Sequence, residues 1–366
     1  LVMQSLFSGI YKDKTVLVTG HTGFKGSWLC FWLKQMGAKV VGYSLEAPTN
    51  PNHFELLNLD ITSIKGNIKD LEHLNTVFQT YKPDIVFHLA AQALVKYSYE
   101  NPIETYETNV MGTLKVFEAS RINNVKAIVN ITSDKAYENR EWIWGYREID
   151  PLGGYDPYSS SKGCADILTN SYRNSFFNIK DYKKTHNTLI ATCRAGNVIG
   201  GGDWAKDRLI TDIMISVSIG KKVSIRNPKA TRPWQHVLEP LSGYLQIGQK
   251  LLEEKVEFAE AWNFGPTDEG SITVEEVVQN VKKHWDKIDY EINRDPNQLH
   301  EANLLKLDCT KANTILKWKD VWDSETTFEK TVKWYKAYYE NNKVLTSEDL
   351  ENYIKEAVGK NIVWTN

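Results

Sequence analysis

The stretch that decides the fold is Thr15-Val-Leu-Val-Thr-Gly-His-Thr-Gly-Phe-Lys-Gly-Ser-Trp-Leu29. Its first five residues have the composition of a buried strand, and the apolar residues from Ser27 to Met36 predict a helix. Gly20, Gly23 and Gly26 occupy the turn between them. Glycines there permit a tight turn and a close approach to a pyrophosphate, which the free N–H groups of the helix would face. The stretch predicts a dinucleotide-binding turn, and a purely structural turn is the alternative.

The same alternation of strand and helix continues through the first half of the chain. Further strands are predicted at 39–43, 84–89, 127–132 and 188–193, with helices at 102–121 and 160–177 between them. Such alternation favours an α/β fold of the Rossmann type, with a doubly wound parallel sheet. After residue 194 the glycines cluster and the segments become irregular, before helical patterns return at 274–285 and 325–339.

Two units are therefore expected in the chain. The first is a dinucleotide-binding domain at 1–195, together with a returning segment near 235–265. The second is a smaller C-terminal α/β lobe, formed by 196–234 and 266–366, that holds the substrate. These boundaries rest on the change from regular strand–helix alternation to irregular, glycine-rich segments after residue 194, and on the resemblance described below.

Composition excludes several classes of protein. The 366 residues carry 44 Lys and Arg against 46 Asp and Glu, a formal net charge of −2. The chain therefore has no overall positive potential that would attract nucleic acid. No apolar run is long enough to span a membrane, and no secretion signal is recognised at the start. The 4 cysteines are widely spaced, which predicts no metal site and no disulfide framework, and favours a reducing cytoplasm.

The end of the second predicted strand bears on the choice between NAD and NADP. A 2′-phosphate needs a nearby cation, whereas a free ribose diol is met by a carboxylate or another polar group. Residues 43–52 contain no Lys or Arg. The sequence therefore predicts NAD, with Ser44 preferred to Glu46 as the ribose partner.

A Tyr-x-x-x-Lys pair is the candidate reaction centre. Tyr158 and Lys162 would lie one turn apart at the start of a helix. A tyrosine with a pKa near 10 is about three units too weak an acid to serve as a base at neutral pH, a gap of roughly 4 kcal/mol. A neighbouring ammonium and a cationic nicotinamide can close that gap. Thr132 and Ser133, at the end of another predicted strand, complete the pattern.

These motifs together resemble the extended short-chain dehydrogenase/reductase family over nearly the whole chain. Further matches are His88-Leu-Ala-Ala-Gln92 and the helical Thr108-Asn-Val-Met-Gly-Thr113. The motifs and the resemblance assign cofactor binding to Gly20, Gly23, Phe24, Lys25, Gly26, Ser44, Asn67, Ile68, Leu89, Ala90, Ala91, Thr132, Tyr158 and Lys162.

Within that family the chain most resembles the nucleotide-sugar 4,6-dehydratases that act on CDP-glucose. The similar segments are 20–29, Thr132-Ser-Asp-Lys135 and Gly200-Gly-Gly-Asp-Trp-Ala205. A dehydratase must remove one proton and protonate a leaving hydroxyl, so it needs an acid and a base beyond Ser133, Tyr158 and Lys162. Asp134 and Lys135 are the candidates, and a surface ion pair is the alternative. Relatives that act on dTDP-glucose or GDP-mannose carry Glu at position 135, so this Lys favours a CDP-sugar.

The resemblance also implies substrate contacts and an assembly. Arg232 aligns with an arginine that meets the substrate pyrophosphate, and Arg208 is a second candidate cation, with a solvated side chain as the alternative. Gln92, Asn197 and His300 are weaker candidates. The helices at 102–121 and 160–177 imply a homodimer or a dimer of dimers. A 4-epimerase of the same family and a non-catalytic NAD-sensing regulator remain alternative functions.

Overall fold

Strand β1 lies inside a parallel sheet in the computed structural model, which describes residues 3–225, 227–266, 272–293 and 304–366. The sheet has seven strands in the order β11-β6-β5-β4-β1-β2-β3, and every neighbouring pair is parallel. The strands are β1 (Thr15–Thr19), β2 (Lys39–Ser44), β3 (Thr62–Lys65), β4 (Ile85–His88), β5 (Ala127–Ile131), β6 (Leu189–Ala195), β7 (Asn197–Ile199), β8 (Val223–Ile225), β9 (Thr231–Arg232), β10 (Trp234–His236), β11 (Ala261–Phe264), β12 (Ile272–Thr273) and β13 (Tyr290–Ile292). The predicted doubly wound α/β fold is confirmed.

Helices connect the strands and cover the sheet. They are α1 (Phe24–Gln35), α2 (His53–Leu57), α3 (Leu71–Tyr81), α4 (Val95–Glu100), α5 (Pro102–Tyr106), α6 (Thr113–Ile122), α7 (Pro157–Asn174), α8 (Leu209–Ser218), α9 (Leu238–Leu252), α10 (Val274–His284), α11 (Ser324–Asn341) and α12 (Thr346–Gly359). The predicted helix at 102–121 is interrupted, because a π-helical segment at Glu107–Gly112 joins α5 to α6. Among the described residues, no helix is long and apolar enough to cross a membrane.

Helix α1 is buried on nearly every side. All residues from Gly26 to Leu33 are shielded from solvent, because the helix also packs against parts of the chain far away in sequence. Trp28 donates an indole hydrogen bond to the carbonyl oxygen of Gly201 at 2.9 Å. Trp32 meets Trp364 edge to face, with ring centroids 5.5 Å apart. The helix that opens the first βαβ unit is therefore also a packing surface for the C-terminal part of the chain.

The chain after β6 adds short strands and the helices α8 to α12. Strand β7 pairs with β10, β9 with β12 and β8 with β13, each as a two-stranded sheet. The described chain at 235–265 supplies α9, which contacts β5 and β6, and β11, which adds to the edge of the large sheet. In parallel α/β sheets, ligands bind outside the carboxyl ends of the strands. The loops after β1, β4, β5 and β6 are therefore the place to look for a site.

Candidate active site

The glycine turn has the geometry that a dinucleotide cradle needs. Gly20 has a φ of +76°, and a Cβ there would lie 2.8 Å from Ala90 Cα. A Cβ on Gly26 would lie 2.1 Å from the carbonyl oxygen of Gly20, so any side chain would force the turn apart. Gly23 is the N-cap of α1 and has no side chain to accept its first N–H groups. Those groups are left for an anion, and the turn fits a dinucleotide diphosphate.

One cavity of about 990 Å³ brings the predicted site residues together. It extends from the glycine turn past the ends of β2, β4 and β5 to the loop before α8. Every candidate for cofactor binding or catalysis lines it, as do Gln92, Asn197, Arg208 and Arg232. His300 lies outside the described residues.

The outer end of the cavity is lined by Ser44 and Glu46, and Lys65 lies next to them. Ser44 Oγ lies 2.8 Å from Thr22 Oγ1, which ties the end of β2 to the glycine turn. Lys65 is opposite Ser44 in the β2–β3 register and forms an ion pair with Glu46. Sequence reasoning missed this lysine because it inspected only the end of β2. A cation does stand at this end, but the Glu46 carboxylate neutralises it.

The inner end is formed by Ser133, Asp134, Lys135, Tyr158 and Lys162. Ser133 caps a short 3₁₀ turn after β5, and its hydroxyl donates to Asp134 Oδ1 at 2.9 Å. The backbone N–H of Lys135 donates to the same oxygen at 2.9 Å. Burial raises the pKa of Asp134, and the charge of Lys135 and the Ser133 hydrogen bond oppose that rise. A carboxyl group whose pKa is raised is suited to donate a proton.

Helix α7 presents Tyr158 and Lys162 to this end. The helix begins at Pro157 because the Asp156 carboxylate accepts the N–H of Ser159 at 2.9 Å, a regular N-cap. Burial raises the pKa of Tyr158 to about 12, while the Ser133 hydrogen bond and the charge of Arg208 lower it. Burial lowers the pKa of Lys162 to about 8. From the sequence, we expected the Lys162 ammonium to lower the pKa of Tyr158. The structure adds the Arg208 guanidinium as a second positive charge that lowers it.

Two carboxylates that support the site were missed by sequence reasoning. Asp203 accepts from Arg208 Nη1 at 2.6 Å and fixes that guanidinium at the cavity wall. Asp166 accepts two hydrogen bonds from Arg194, each of 2.7 Å, and a third from Thr132 Oγ1 at 2.9 Å. Asp166 follows Lys162 by one helical turn and opposes the fall of its pKa. That i, i+4 spacing is the sequence signal that could have revealed it.

The remaining substrate candidates have partners within the protein. The Gln92 amide donates to the carbonyl oxygen of Leu94 at 3.1 Å and to Thr105 Oγ1 at 2.9 Å, so it holds its own loop. Arg232 Nη1 donates to the carbonyl oxygen of Thr231 at 2.8 Å. Asn197 begins β7 at the cavity wall. Of these, Arg232 adds positive charge near Asp134, whose pKa it helps to lower.

Comparisons with known proteins agree with this geometry. The family model described as GDP-mannose 4,6 dehydratase matches residues 17–333. A CDP-glucose 4,6-dehydratase from Salmonella typhimurium is 52% identical over 349 residues, which cover 94% of this chain and 97% of that protein.

Solved structures agree on the fold. The epimerase Mth375 from Methanothermobacter thermautotrophicus superimposes with a TM-score of 0.77 at 24% identity, over 95% of this chain and 97% of its own. A dTDP-glucose 4,6-dehydratase from Bacillus anthracis, solved with NAD, superimposes with a TM-score of 0.72 at 23% identity, over 90% of this chain and 98% of its own. The family match covers most of the chain, and the predicted resemblance is confirmed: the chain belongs to the nucleotide-sugar 4,6-dehydratase family.

Proposed function

We propose that this protein is an NAD-dependent CDP-glucose 4,6-dehydratase that forms CDP-4-keto-6-deoxyglucose. The observation that carries the proposal is the inner end of the cavity. There Asp134 and Lys135 stand directly after Ser133, in the same cavity as Tyr158 and Lys162. A 4-epimerase needs no such additional acid and base. The similarity of the whole chain to a CDP-glucose 4,6-dehydratase supports the same choice of substrate.

The glycine turn and the outer end would hold the cofactor. The N–H groups of α1 would meet the diphosphate, and Ser44, Asn67 and Ile68 line the cavity beside the ribose position. When bound, NAD would accept electrons from sugar C4 and return them at C6. Arg208 and Arg232 would meet the diphosphate of the nucleotide sugar. On this proposal the chain at 1–195 with 235–265 binds the cofactor, and 196–234 with 266–366 binds the sugar nucleotide.

Tyr158 would take the proton of the sugar 4-hydroxyl. Its pKa of about 12 in the buried site leaves it protonated at neutral pH, so the reaction requires positive charge close to the phenol. Lys162 and Arg208 supply fixed positive charge, and the Ser133 hydroxyl would stabilise the phenolate by turning from Asp134 Oδ1 to the phenol oxygen. A nicotinamide cation would add to these charges in the loaded enzyme.

Asp134 and Lys135 would carry out the elimination of water. The 4-keto group makes the C5 proton acidic, and Lys135 would remove it. Asp134 would protonate the departing 6-hydroxyl, a role that its raised pKa favours. Both hydrogen bonds to this carboxylate go to Oδ1, and Oδ2 lies beside Gly196, 3.1 Å from the place of a Cβ there.

A panel of CDP-, dTDP-, UDP- and GDP-glucose tests the function directly. We expect 4-keto product from CDP-glucose, without net accumulation of reduced cofactor. Turnover in deuterated water should place deuterium at C5 of the product, because the proton returned there comes from solvent. Formation of a 4-epimer, or stoichiometric release of reduced cofactor, would contradict the dehydratase proposal.

A homodimer is proposed on the exposed faces of two helical segments. Ile103, Met111 and Ile122 are 75%, 47% and 49% exposed on the first, and Ile167 and Phe176 are 55% and 51% exposed on or just after α7. In a dimer built on these two segments, the partner would cover these exposed apolar side chains. Light scattering at micromolar concentration should give twice the chain mass or a multiple of it, and a monomeric mass would contradict this. The proposed location is the cytoplasm, with the product serving cell-surface polysaccharide synthesis.

A further inference from the structure

The glycines of the loop 200–208, between β7 and α8, make room for aromatic side chains. A Cβ on Gly201 would lie 2.0 Å from the ring of Trp334 on α11. A Cβ on Gly202 would lie 2.5 Å from the ring of His53, at the start of α2. These glycines therefore let the loop pack closely against α2 and α11, where a loop with side chains at the same positions could not.

Helix α11 also binds this loop through two tyrosine hydroxyls. The Tyr335 hydroxyl accepts the N–H of Asp203 at 2.9 Å and donates to the carbonyl oxygen of the same residue. One turn further along the helix, the Tyr339 hydroxyl accepts the indole N–H of Trp204 at 2.8 Å. Tyr335 is 1% exposed, so solvent does not compete for its two bonds. One side chain therefore fixes both backbone polar groups of Asp203.

The Asp203 carboxylate in turn holds Arg208. One of its oxygens accepts from Arg208 Nη1 at 2.6 Å, and the other accepts the N–H of Ala205 at 3.0 Å. The Asp203 side chain is 10% exposed, whereas that of Arg208 is 36% exposed and lines the cavity. An arginine side chain has several rotatable bonds, and a partner that is itself fixed restricts them. The contacts therefore lead from Tyr335 to a guanidinium whose charge lowers the pKa of Tyr158.

We infer that Tyr335, supported by Tyr339, is a positioning residue that holds the Arg208 guanidinium where the substrate diphosphate and the reacting phenol require it. The inference rests on the proposed function for the roles of Arg208 and Tyr158. The Tyr335 hydroxyl is bound to two backbone groups, so it acts through Asp203 and not on the ligand. A guanidinium that is free to move contributes less to binding and to catalysis. The effect of Tyr339 should be smaller, because its partner is an indole.

A double-mutant cycle tests this inference by calorimetry, with CDP titrated into the NAD-loaded protein. Tyr335→Phe removes only the hydroxyl, and we expect the affinity for CDP to fall roughly 3- to 10-fold. Arg208→Met should lower it roughly 10- to 100-fold, the usual loss for a charged hydrogen bond. In the Arg208→Met background, Tyr335→Phe should cause little further loss, because its effect depends on the arginine. Equal losses in both backgrounds, or no loss from Tyr335→Phe alone, would overturn the inference.

Tyr338→Phe is the matched control for the loss of a hydroxyl from α11. The Tyr338 ring packs against Trp204 and Trp334, with centroid distances of 5.2 and 5.8 Å. Tyr338 does not line the cavity, and its hydroxyl donates no hydrogen bond to any residue that the structure describes. The affinity of Tyr338→Phe for CDP should therefore equal that of the wild type.

The pH dependence of kcat/KM separates positioning from a loss of stability. Tyr158 acts as a base only when deprotonated, so kcat/KM should rise with pH through its pKa. If Tyr335→Phe lets Arg208 move away, less positive charge acts on the phenol, and this rise should shift to higher pH by roughly 0.5 unit. A loss of stability alone would lower activity without this shift. The other groups around the phenol remain in place: Ser133 and Asp134 after β5, Asp156 and Lys162 on or next to α7, and Tyr244 on α9.

Circular dichroism at the assay temperature shows whether Tyr335→Phe is folded. If it is not, Tyr339→Phe replaces it in the same cycle, and equal losses in both Arg208 backgrounds would again overturn the inference. Failure of the proposed function gives a different result. A wild type that binds CDP but forms no 4-keto product from CDP-glucose would contradict the dehydratase proposal, while the cycle would still decide the role of Tyr335.

Discussion

The two ends of the cavity differ in how far they are removed from water. At the inner end, Ser133, Asp134 and Lys162 are 7%, 4% and 7% exposed. At the outer end, the side chains of Lys65 and Glu46 are 69% and 77% exposed. Charges in a buried site interact strongly and shift each other's pKa, whereas solvent and salt screen exposed pairs. The inner end can therefore perform acid–base chemistry, and the outer end can only bias which cofactor binds.

The largest effect is expected from Tyr158→Phe at the inner end. Removing one general base should slow turnover by roughly 10²–10⁴-fold. Because oxidation at C4 then fails, cofactor absorbance should show that bound NAD stays oxidised after CDP-glucose is added. Tyr155→Phe is the matched control, since Tyr155 precedes α7, is 77% exposed and does not line the cavity.

Lys135→Ala should fail at a later step than Tyr158→Phe. Tyr158 and Lys162 remain, so the first oxidation should still occur and reduced cofactor should appear on mixing. Loss of C5 proton removal should lower overall turnover by a similar roughly 10²–10⁴-fold. A wild-type rate in Lys135→Ala would contradict its role as the base and favour an ion pair at the surface.

Gly26→Ala tests the turn that joins the two ends. The added Cβ would lie 2.1 Å from the carbonyl oxygen of Gly20, so the turn must open. We expect a loss of roughly 1–3 kcal/mol in unfolding free energy and weaker NAD binding, measured by urea unfolding and calorimetry. At Gly359, the last residue of α12, a Cβ meets nothing within 4 Å. Gly359→Ala should leave NAD binding unchanged and should not destabilise the protein.

The change in folding stability at alkaline pH tests the burial of Lys162 at the inner end, because burial predicts that stability rises with pH. The pKa of Lys162 is about 8 in the folded protein and near its ordinary value of 10.5 when unfolded. Between these values the unfolded chain binds the extra proton, so folding stability rises with pH, by about 2 kcal/mol for this group between pH 8 and pH 10. Urea unfolding of the ligand-free protein at about pH 8 and about pH 10 should show a smaller rise in Lys162→Met than in the wild type. An equal rise in both would show that Lys162 is not the group responsible.

The smallest effect is expected at the outer end. Glu46→Gln leaves Lys65 without its ion-pair partner, so the affinity for NADP, which carries the 2′-phosphate, should increase. We expect the preference for NAD over NADP to fall only a few-fold, because both side chains are exposed. Added salt should reduce the change further. Glu46→Gln combined with Lys65→Gln should restore the preference; if it does not, Lys65 is not the cation that matters.

Local sequence was enough to predict five of the seven strands of the central sheet, all but β3 and β11. β1, β4 and β5 are short apolar runs whose residues are buried in the sheet, and the observed bounds lie within a residue of the predicted ones. Strand β3 was missed because it is an edge strand, mostly exposed, with no apolar run. Helix α9 was missed because it is buried almost all round, so it shows no simple one-sided pattern.

The site was predictable where function depends on a fixed spacing and obscure where it depends on contacts across the fold. The Tyr158–Lys162 spacing and the residues after β5 were both apparent from the sequence. The Asp166 contact to Arg194 and the Lys65 contact to Glu46 join separate segments. No local sequence pattern indicates such ion pairs, because only the tertiary fold brings the two residues together. The contacts that hold and neutralise the charged side chains around the site are therefore the part that needed the structure.

The burial of α1 also bears on how the protein is made. Residues 26–33 are all buried, yet some of the residues that cover them lie near position 364 and are made much later. Their partners include Trp364, which stacks on Phe7 with ring centroids 5.3 Å apart. The backbone of Asn366 accepts the N–H of Ser8 at 2.7 Å. On the ribosome, this helix must wait until residues near position 364 are made before its surface is covered, so a chain that stalls before them would expose a face prone to aggregation.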